Sequence, residues 1–128
     1  MTAVLEVDRL TKHFAFRRGL FGGEGAVRAV DGVTFSLAQG ETLALVGESG
    51  CGKSTVARLV LRLSDPTSGT IRLNGEDVTH MKGEGLRRAR RNVQLVFQDP
   101  FASLNPRMTA RQIVAEPLIN YGAADDAA

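Results

Sequence analysis

Residues 47–55 read GESGCGKST, placing three glycines, a lysine and a Ser-Thr pair in one short stretch. The types and spacing, Gly47-x-x-x-x-Gly52-Lys53-Ser54, are those of a phosphate-binding loop, the Walker A pattern. Glycines let the backbone turn so that successive N–H groups point inward at phosphate oxygens. A helix opening near Lys53 would add the partial positive charge of its N-terminus. The Lys53 ammonium supplies a full charge for β- and γ-phosphates, and the Ser54 hydroxyl is a candidate ligand for Mg²⁺. A plain glycine turn capping a helix would account for Gly50 and Gly52, but not for the Lys-Ser pair behind them.

Such a loop must sit between a strand and a helix, and the flanking sequence has that form. Thr42–Val46 (TLALV) is a short apolar run expected to be a strand buried on both faces. From Lys53, apolar residues recur at Val56, Leu59, Val60 and Leu63, which is helical spacing. Upstream, Leu5–Leu10 and Val33–Leu37 alternate as strands do, with a turn at Gln39-Gly40. The glycine-rich, basic stretch Ala15–Ala26 is expected to be a loop.

Downstream, Asp65–Gly69 ends the helix, and Thr70–Leu73, Asn74-Gly75 and Glu76–Val78 form a hairpin signal. Leu86–Arg91 is a basic helix candidate, and Asn92–Phe97 is expected to be another strand. Gln98–Arg107 holds two prolines and is read as a loop. Thr109 to Gln112 has capping-box spacing and opens a helix over Ile113, Val114 and Leu118, which Pro117 should bend or end. Antiparallel strands followed by a buried strand and a helix predict an α/β fold.

The bulk numbers agree with one globular domain. The chain has 128 residues, 43% hydrophobic and 23% charged, with a net charge of +2. That excess is too small to argue for nucleic acid. The four arginines at 87, 88, 90 and 91 have no interleaved aromatic platform, so they read as a solvated helix face and no nucleic-acid partner is expected. No apolar run approaches the roughly 18 residues that span a bilayer. The N-terminus lacks the apolar segment of a secretory signal. A single cysteine, Cys51, precludes an internal disulfide and fits a reducing cytosol. His13 and His80 lie far apart without further ligand types nearby, so they are not read as a metal site.

A phosphate loop alone is shared by kinases, GTPases, motors and transport ATPases. The second anchor is VFQDPFASLNPR at Val96–Arg107. Together with LTKHF at Leu10–Phe14, the run Arg28–Thr55 and DPTSGTIRLNGEDV at Asp65–Val78, it makes the chain resemble the ATP-binding subunits of ABC transporters. Within that family it looks like the oligopeptide, dipeptide and nickel uptake subfamily.

The resemblance implies a P-loop NTPase fold, the ABC-type nucleotide-binding domain, in truncated form. It comprises an N-terminal antiparallel β part, the phosphate-loop strand and helix, the Q-loop strand and the start of a helical subdomain. That partial domain would occupy residues 1–121, with 122–128 a frayed tail. ATP and Mg are the implied cofactors. Gly47, Glu48, Ser49, Gly50, Cys51, Gly52, Lys53, Ser54 and Thr55 match the phosphate loop. Phe14 matches the aromatic that stacks on adenine, with an ordinary core phenylalanine as the alternative. Gln98 matches the Q-loop glutamine that positions Mg and the attacking water, so Ser54 and Gln98 are the implied metal ligands.

The implied partners are ABC permease subunits and a second nucleotide-binding subunit, at the cytoplasmic face of the membrane. The segment Gln98–Leu118 is expected to meet the permease. The implied activity is an ABC-type ATPase that energises import of oligopeptides, dipeptides or a related small solute. The family's signature motif, Asp-Glu strand (Walker B), D-loop and switch histidine are not among these residues. The chain alone is therefore expected to bind ATP without hydrolysing it. The alternative is a nucleotide-binding fragment with no transport role.

Overall fold

The computed structural model describes residues 3–17 and 24–122, which fall into two units, Met1–Val93 and Gln94–Ala128. The first unit is built on an antiparallel sheet with strand order β2-β1-β3-β4. Its strands are β1 (Ala3–Arg17), β2 (Glu24–Ala38), β3 (Ser68–Leu73) and β4 (Glu76–Asp77). β1 lies between β2 and β3, so Val7 faces Phe35 on one side and Ile71 on the other. The pairing of β1 with β2 is interrupted by register shifts between Val7 and His13, which let two 15-residue strands follow one another with altered side-chain phase.

Alternation over Leu5–Leu10 and Val33–Leu37 thus marks real strands, and both run longer than the pattern shows. Residues 15–17 and 24–26, expected in a loop, are the paired ends of the β1–β2 hairpin. The rest of that expected loop, 18–23, lies outside the described residues. The β3–β4 hairpin turns at Asn74-Gly75, where both residues have positive φ (50° and 80°), as a tight two-residue turn requires.

Helix α1 (Lys53–Val60) lays Val56 and Leu59 into a cluster with Val7, Leu10, Val30, Ile71, Leu73, Val78 and Ala89. Ala89 belongs to α2 (Gly83–Ala89), which continues into a 3-10 turn at Arg90–Asn92. Each large aliphatic side chain buried here stabilises the unit by roughly 1.5–3 kcal/mol.

Two expected strands are not part of the sheet. Residues 41–48 and 93–97 carry no ladder pairing, which corrects both the phosphate-loop strand and the Q-loop strand of the sequence reading. An apolar run becomes a strand only where neighbouring backbone answers its N–H and C=O groups, and no described segment pairs with either run. Val46 and Val96 are each 93% exposed in consequence.

In the second unit, Gln98–Arg107 is not wholly loop. Asp99 caps a single turn, α3 (Pro100–Ser103), with Oδ1 accepting from the Phe101 and Ala102 N–H groups at 2.9 and 3.1 Å. Asp before Pro opens a helix here because Asp answers free N–H groups and Pro lacks one. The capping box at α4 (Ala110–Asn120) is formed: Thr109 N–H donates to Gln112 Oε1 at 2.8 Å, and Gln112 N–H to Thr109 Oγ1 at 3.3 Å. Pro117 lies inside α4 without ending it, and the helix continues to Asn120. Since Pro117 has no N–H, the helix there forgoes one i→i−4 bond, to the Ile113 carbonyl.

Candidate functional site

The phosphate loop spans Gly47–Gly52 between residues outside the sheet and α1. Gly50 and Gly52 both occupy the left-handed region, at φ 82° and 99°. Gly52 also lies against β2, so close that a Cβ there would collide with the Ala29 carbonyl oxygen. A Cβ on Gly47 would strike the Cys51 sulfur. Gly52 is the N-cap of α1 and offers no side chain to its first turn. The N–H groups of Lys53, Ser54 and Thr55 have no acceptor within the helix by geometry. They remain directed along the helix axis toward the loop.

Lys53 folds back over the same turn. Its Nζ donates to the carbonyl oxygens of Gly47 at 2.5 Å and Glu48 at 2.6 Å, and lies 3.4 Å from Cys51 Sγ. The loop is further closed by Cys51 N–H donating to the Glu48 carbonyl at 3.3 Å. Ser54 and Cys51 are exposed, and Thr55 is half-buried. Residues 47–55 thus bring together a cation, a helix N-terminus whose first N–H groups have no acceptor in the helix, and two glycines, Gly47 and Gly52, where a side chain would collide. This donor set suits a phosphate chain. For Mg²⁺, the chain offers the Ser54 hydroxyl but no cluster of three His, Cys, Asp or Glu side chains among the described residues. A metal here would have to take most of its ligands from phosphate oxygens and water.

Phe14 is not a core residue. It lies on β1 opposite Val27 of β2, with 47% of its surface exposed, and the Lys12 ammonium sits 5.1 Å from its ring centroid. Lys12 is itself held by the Asp65 carbonyl at 2.6 Å. Ala29, whose carbonyl oxygen lies against Gly52, is two residues beyond Val27 on β2, past the Arg28–His13 pair and at a register shift of the ladder. The β1–β2 hairpin thus carries both the open aromatic ring and, two residues along β2 from the residue opposite it, the backbone contact of the loop. Gln98 is exposed and belongs to the second unit, so the two implied metal ligands, Ser54 and Gln98, lie in different units.

Sequence reasoning missed Lys12 as the partner of Phe14, and Ala29 as the surface that Gly52 packs on. Neither residue type signals such a role. It also misread Arg90, whose side chain is half-buried and bonded to backbone carbonyls rather than solvated.

The comparisons with known proteins follow the same lines. The family model described as ABC transporter matches residues 30–128, and the chain belongs to that family. The chain is 52% identical over 120 residues to the probable peptide ABC transporter ATP-binding protein y4tS of Sinorhizobium fredii, covering 93% of this chain and 34% of that protein. It is 55% identical over 116 residues to the oligopeptide transport ATP-binding protein AppF of Bacillus subtilis, covering 89% and 35% respectively. The chain therefore spans about a third of the length of the curated relatives it matches. Among solved structures it resembles a dimeric ATP-binding cassette in a post-hydrolysis state bound to ADP and Pi. The TM-score is 0.74 at 27% identity, over 91% of this chain and 47% of the other. The fold is that of the ABC ATPase domain.

Proposed function

We propose that this chain is the nucleotide-cradling portion of an ABC-type ATPase that energises uptake of peptides or a related small solute across the cytoplasmic membrane. The observation that carries the reading is the convergence of the Lys53 ammonium with the uncapped first turn of α1 on a loop where Gly47 and Gly52 leave no room for side chains. Such a site binds a polyphosphate through charge-assisted bonds and backbone donors. ATP would bring the phosphoanhydride bond and most of the ligands for its own Mg²⁺. Within this chain, Lys53 neutralises phosphate charge, Ser54 contributes a hydroxyl to the metal, and Phe14 offers a flat face to the adenine. The similarity to peptide-transport ATP-binding proteins supports the solute class.

On this reading Gln98 orients water and metal, and Gln98–Leu118 is the surface for a permease subunit. That segment carries exposed Phe101 and Leu104. A second nucleotide-binding subunit would close over the loop, as the dimeric form of the similar cassette supports. Among the described residues no helix is long and apolar enough to cross a membrane, which accords with a peripheral subunit. These 128 residues contain no Asp-Glu pair, so we expect them to bind Mg-ATP without turning it over.

Lys53→Ala tests the assignment. The contacts it removes are worth roughly 1.5–3 kcal/mol each when charge-assisted. Mg-ATP affinity in calorimetry is expected to fall by about tenfold or more. Equal affinity of a folded Lys53→Ala variant and its parent rejects the site.

A further inference from the structure

The helix that carries Lys53 at its start is anchored at its far end by two arginines with no part in phosphate binding. Leu63 N–H donates to the Arg58 carbonyl at 2.9 Å and Arg62 N–H to the Leu59 carbonyl at 2.9 Å, the paired bonds of a Schellman closure. Glycine usually fills the left-handed position of that closure. Here it is Arg62, at φ 55°. A side chain in this backbone region is strained and persists only where its surroundings hold it.

The hold is visible. The Arg62 side chain is 2% exposed. Its Nε donates to the Val78 carbonyl at 2.8 Å, and its Nη1 to the Ser64 carbonyl at 3.3 Å and Asp65 Oδ1 at 2.8 Å. Arg90 completes the grip from the 3-10 turn after α2. Its Nε donates to the Leu61 carbonyl at 3.1 Å and its Nη2 to the Arg62 carbonyl at 2.5 Å. Arg90 thus brings a guanidinium to the negative end of the α1 dipole and answers the free carbonyl of the C-cap, Leu61, while Arg62 ties the following turn to Val78, Ser64 and Asp65.

The consequence lies at the other end. α1 has eight residues, a rod of about 12 Å. Its buried side chains are Val56 and Leu59, which seat one face on the sheet but do little to fix slide along the axis. The axial position is set by the ends. At the start, Gly52 abuts the Ala29 carbonyl. At the finish, Arg90 holds the carbonyls of the C-cap Leu61 and of Arg62 just beyond it.

We propose that Arg90 is a positioning residue for the phosphate loop: by gripping the Leu61 and Arg62 carbonyls it fixes where α1 presents Lys53 and its first-turn donors, without touching nucleotide. The proposal rests on the reading of residues 47–55 as a phosphate site. It requires that loss of Arg90 weaken every ligand bound through phosphates by one factor, because the cradle moves and the base platform does not.

The test uses the full natural polypeptide and two probes, Mg-ATP and Mg-tripolyphosphate, in calorimetry at a temperature well below the melting midpoint of each variant. Arg90→Met is expected to weaken both probes equally, by about fivefold to tenfold. Arg90→Lys keeps the charge but loses the planar fork, and is expected to recover part of that loss. Arg88→Met, on the exposed side of α2, is expected to bind like the parent. If Arg90→Met does not fold, Arg90→Lys decides, with parent-like affinity for both probes overturning the role. So does a folded Arg90→Met that binds both probes like the parent while Lys53→Ala does not. A loss confined to Mg-ATP also overturns it, since that would place the effect at the base. Parent-like binding by Lys53→Ala instead brings down the phosphate-site reading, and this proposal with it.

Discussion

Gly52 faces the carbonyl oxygen of Ala29 with no space for a methyl group between them. The contact joins the start of the phosphate-loop helix to β2, and it exists only because position 52 has no side chain and adopts φ 99°.

Gly52→Ala should therefore be far more damaging than Gly50→Ala, although both glycines sit in the left-handed region. At Gly50 a Cβ meets open space, so its cost is backbone strain alone, about 1–2 kcal/mol. At Gly52 the same strain is joined by a backbone collision that only a shift of α1 or β2 relieves. Thermal melting should order the variants parent, Gly50→Ala, Gly52→Ala, and Gly52→Ala should also lose Mg-ATP binding. Equal melting points for the two variants would contradict the packing described.

Phe14→Ala should separate base from phosphate recognition. The ring is exposed and contributes little to the core, so the melting point should hardly move. Stacking of a base on an aromatic ring is worth roughly 1–3 kcal/mol. Affinity for Mg-ATP is expected to drop by about tenfold, while affinity for Mg-tripolyphosphate stays at the parent value. A parallel loss for both ligands would mean that Phe14 acts through the fold.

Acid should loosen the first unit through two carboxyls. The Arg62 hydrogen bond, aided by its charge, holds Asp65 below the ordinary aspartate value. Hydrogen bonds from the Thr79 hydroxyl and backbone N–H do the same for Asp77. Because folding lowers both values, their contribution is complete above the unfolded aspartate value of about 3.9 and is lost as the pH falls through the folded values. Melting temperature should be flat above about pH 5 and decline below about pH 4. Asp65→Asn and Asp77→Asn should each reduce that decline. An unchanged acid slope in the double variant would remove these groups from the account.

What the sequence revealed and what it hid divide along physical lines. The glycine turn leading into α1, the helix itself, the Asn74-Gly75 turn and the Thr109 cap were legible because each depends on residues within a few positions of one another. The runs 42–46 and 92–97 were expected as strands but pair with nothing among the described residues, because periodicity reports which residues avoid water, not whether a partner strand is present to bond them. The α3 turn was overlooked although Asp99 before Pro100 carries its start signal; the nearby prolines were read only as breakers. Arg62 in a glycine position, and Arg90 bonded to carbonyls 28 and 29 residues away in sequence, leave no local trace. Their roles arise only when the C-terminal end of α1 and the turn after α2 come together.

The two carbonyls under the Lys53 ammonium act as a built-in competitor for it. They are tethered in the same turn, so their local concentration cannot be diluted, and any anion must displace them before it gains the lysine. The affinity measured for a phosphate ligand is then an exchange constant: the intrinsic value reduced by the fraction of time Lys53 spends on Gly47 and Glu48. Distortion of those two carbonyls by strain within the loop, with α1 and its first-turn donors held in place, would release the ammonium and tighten binding without adding a single contact to the ligand.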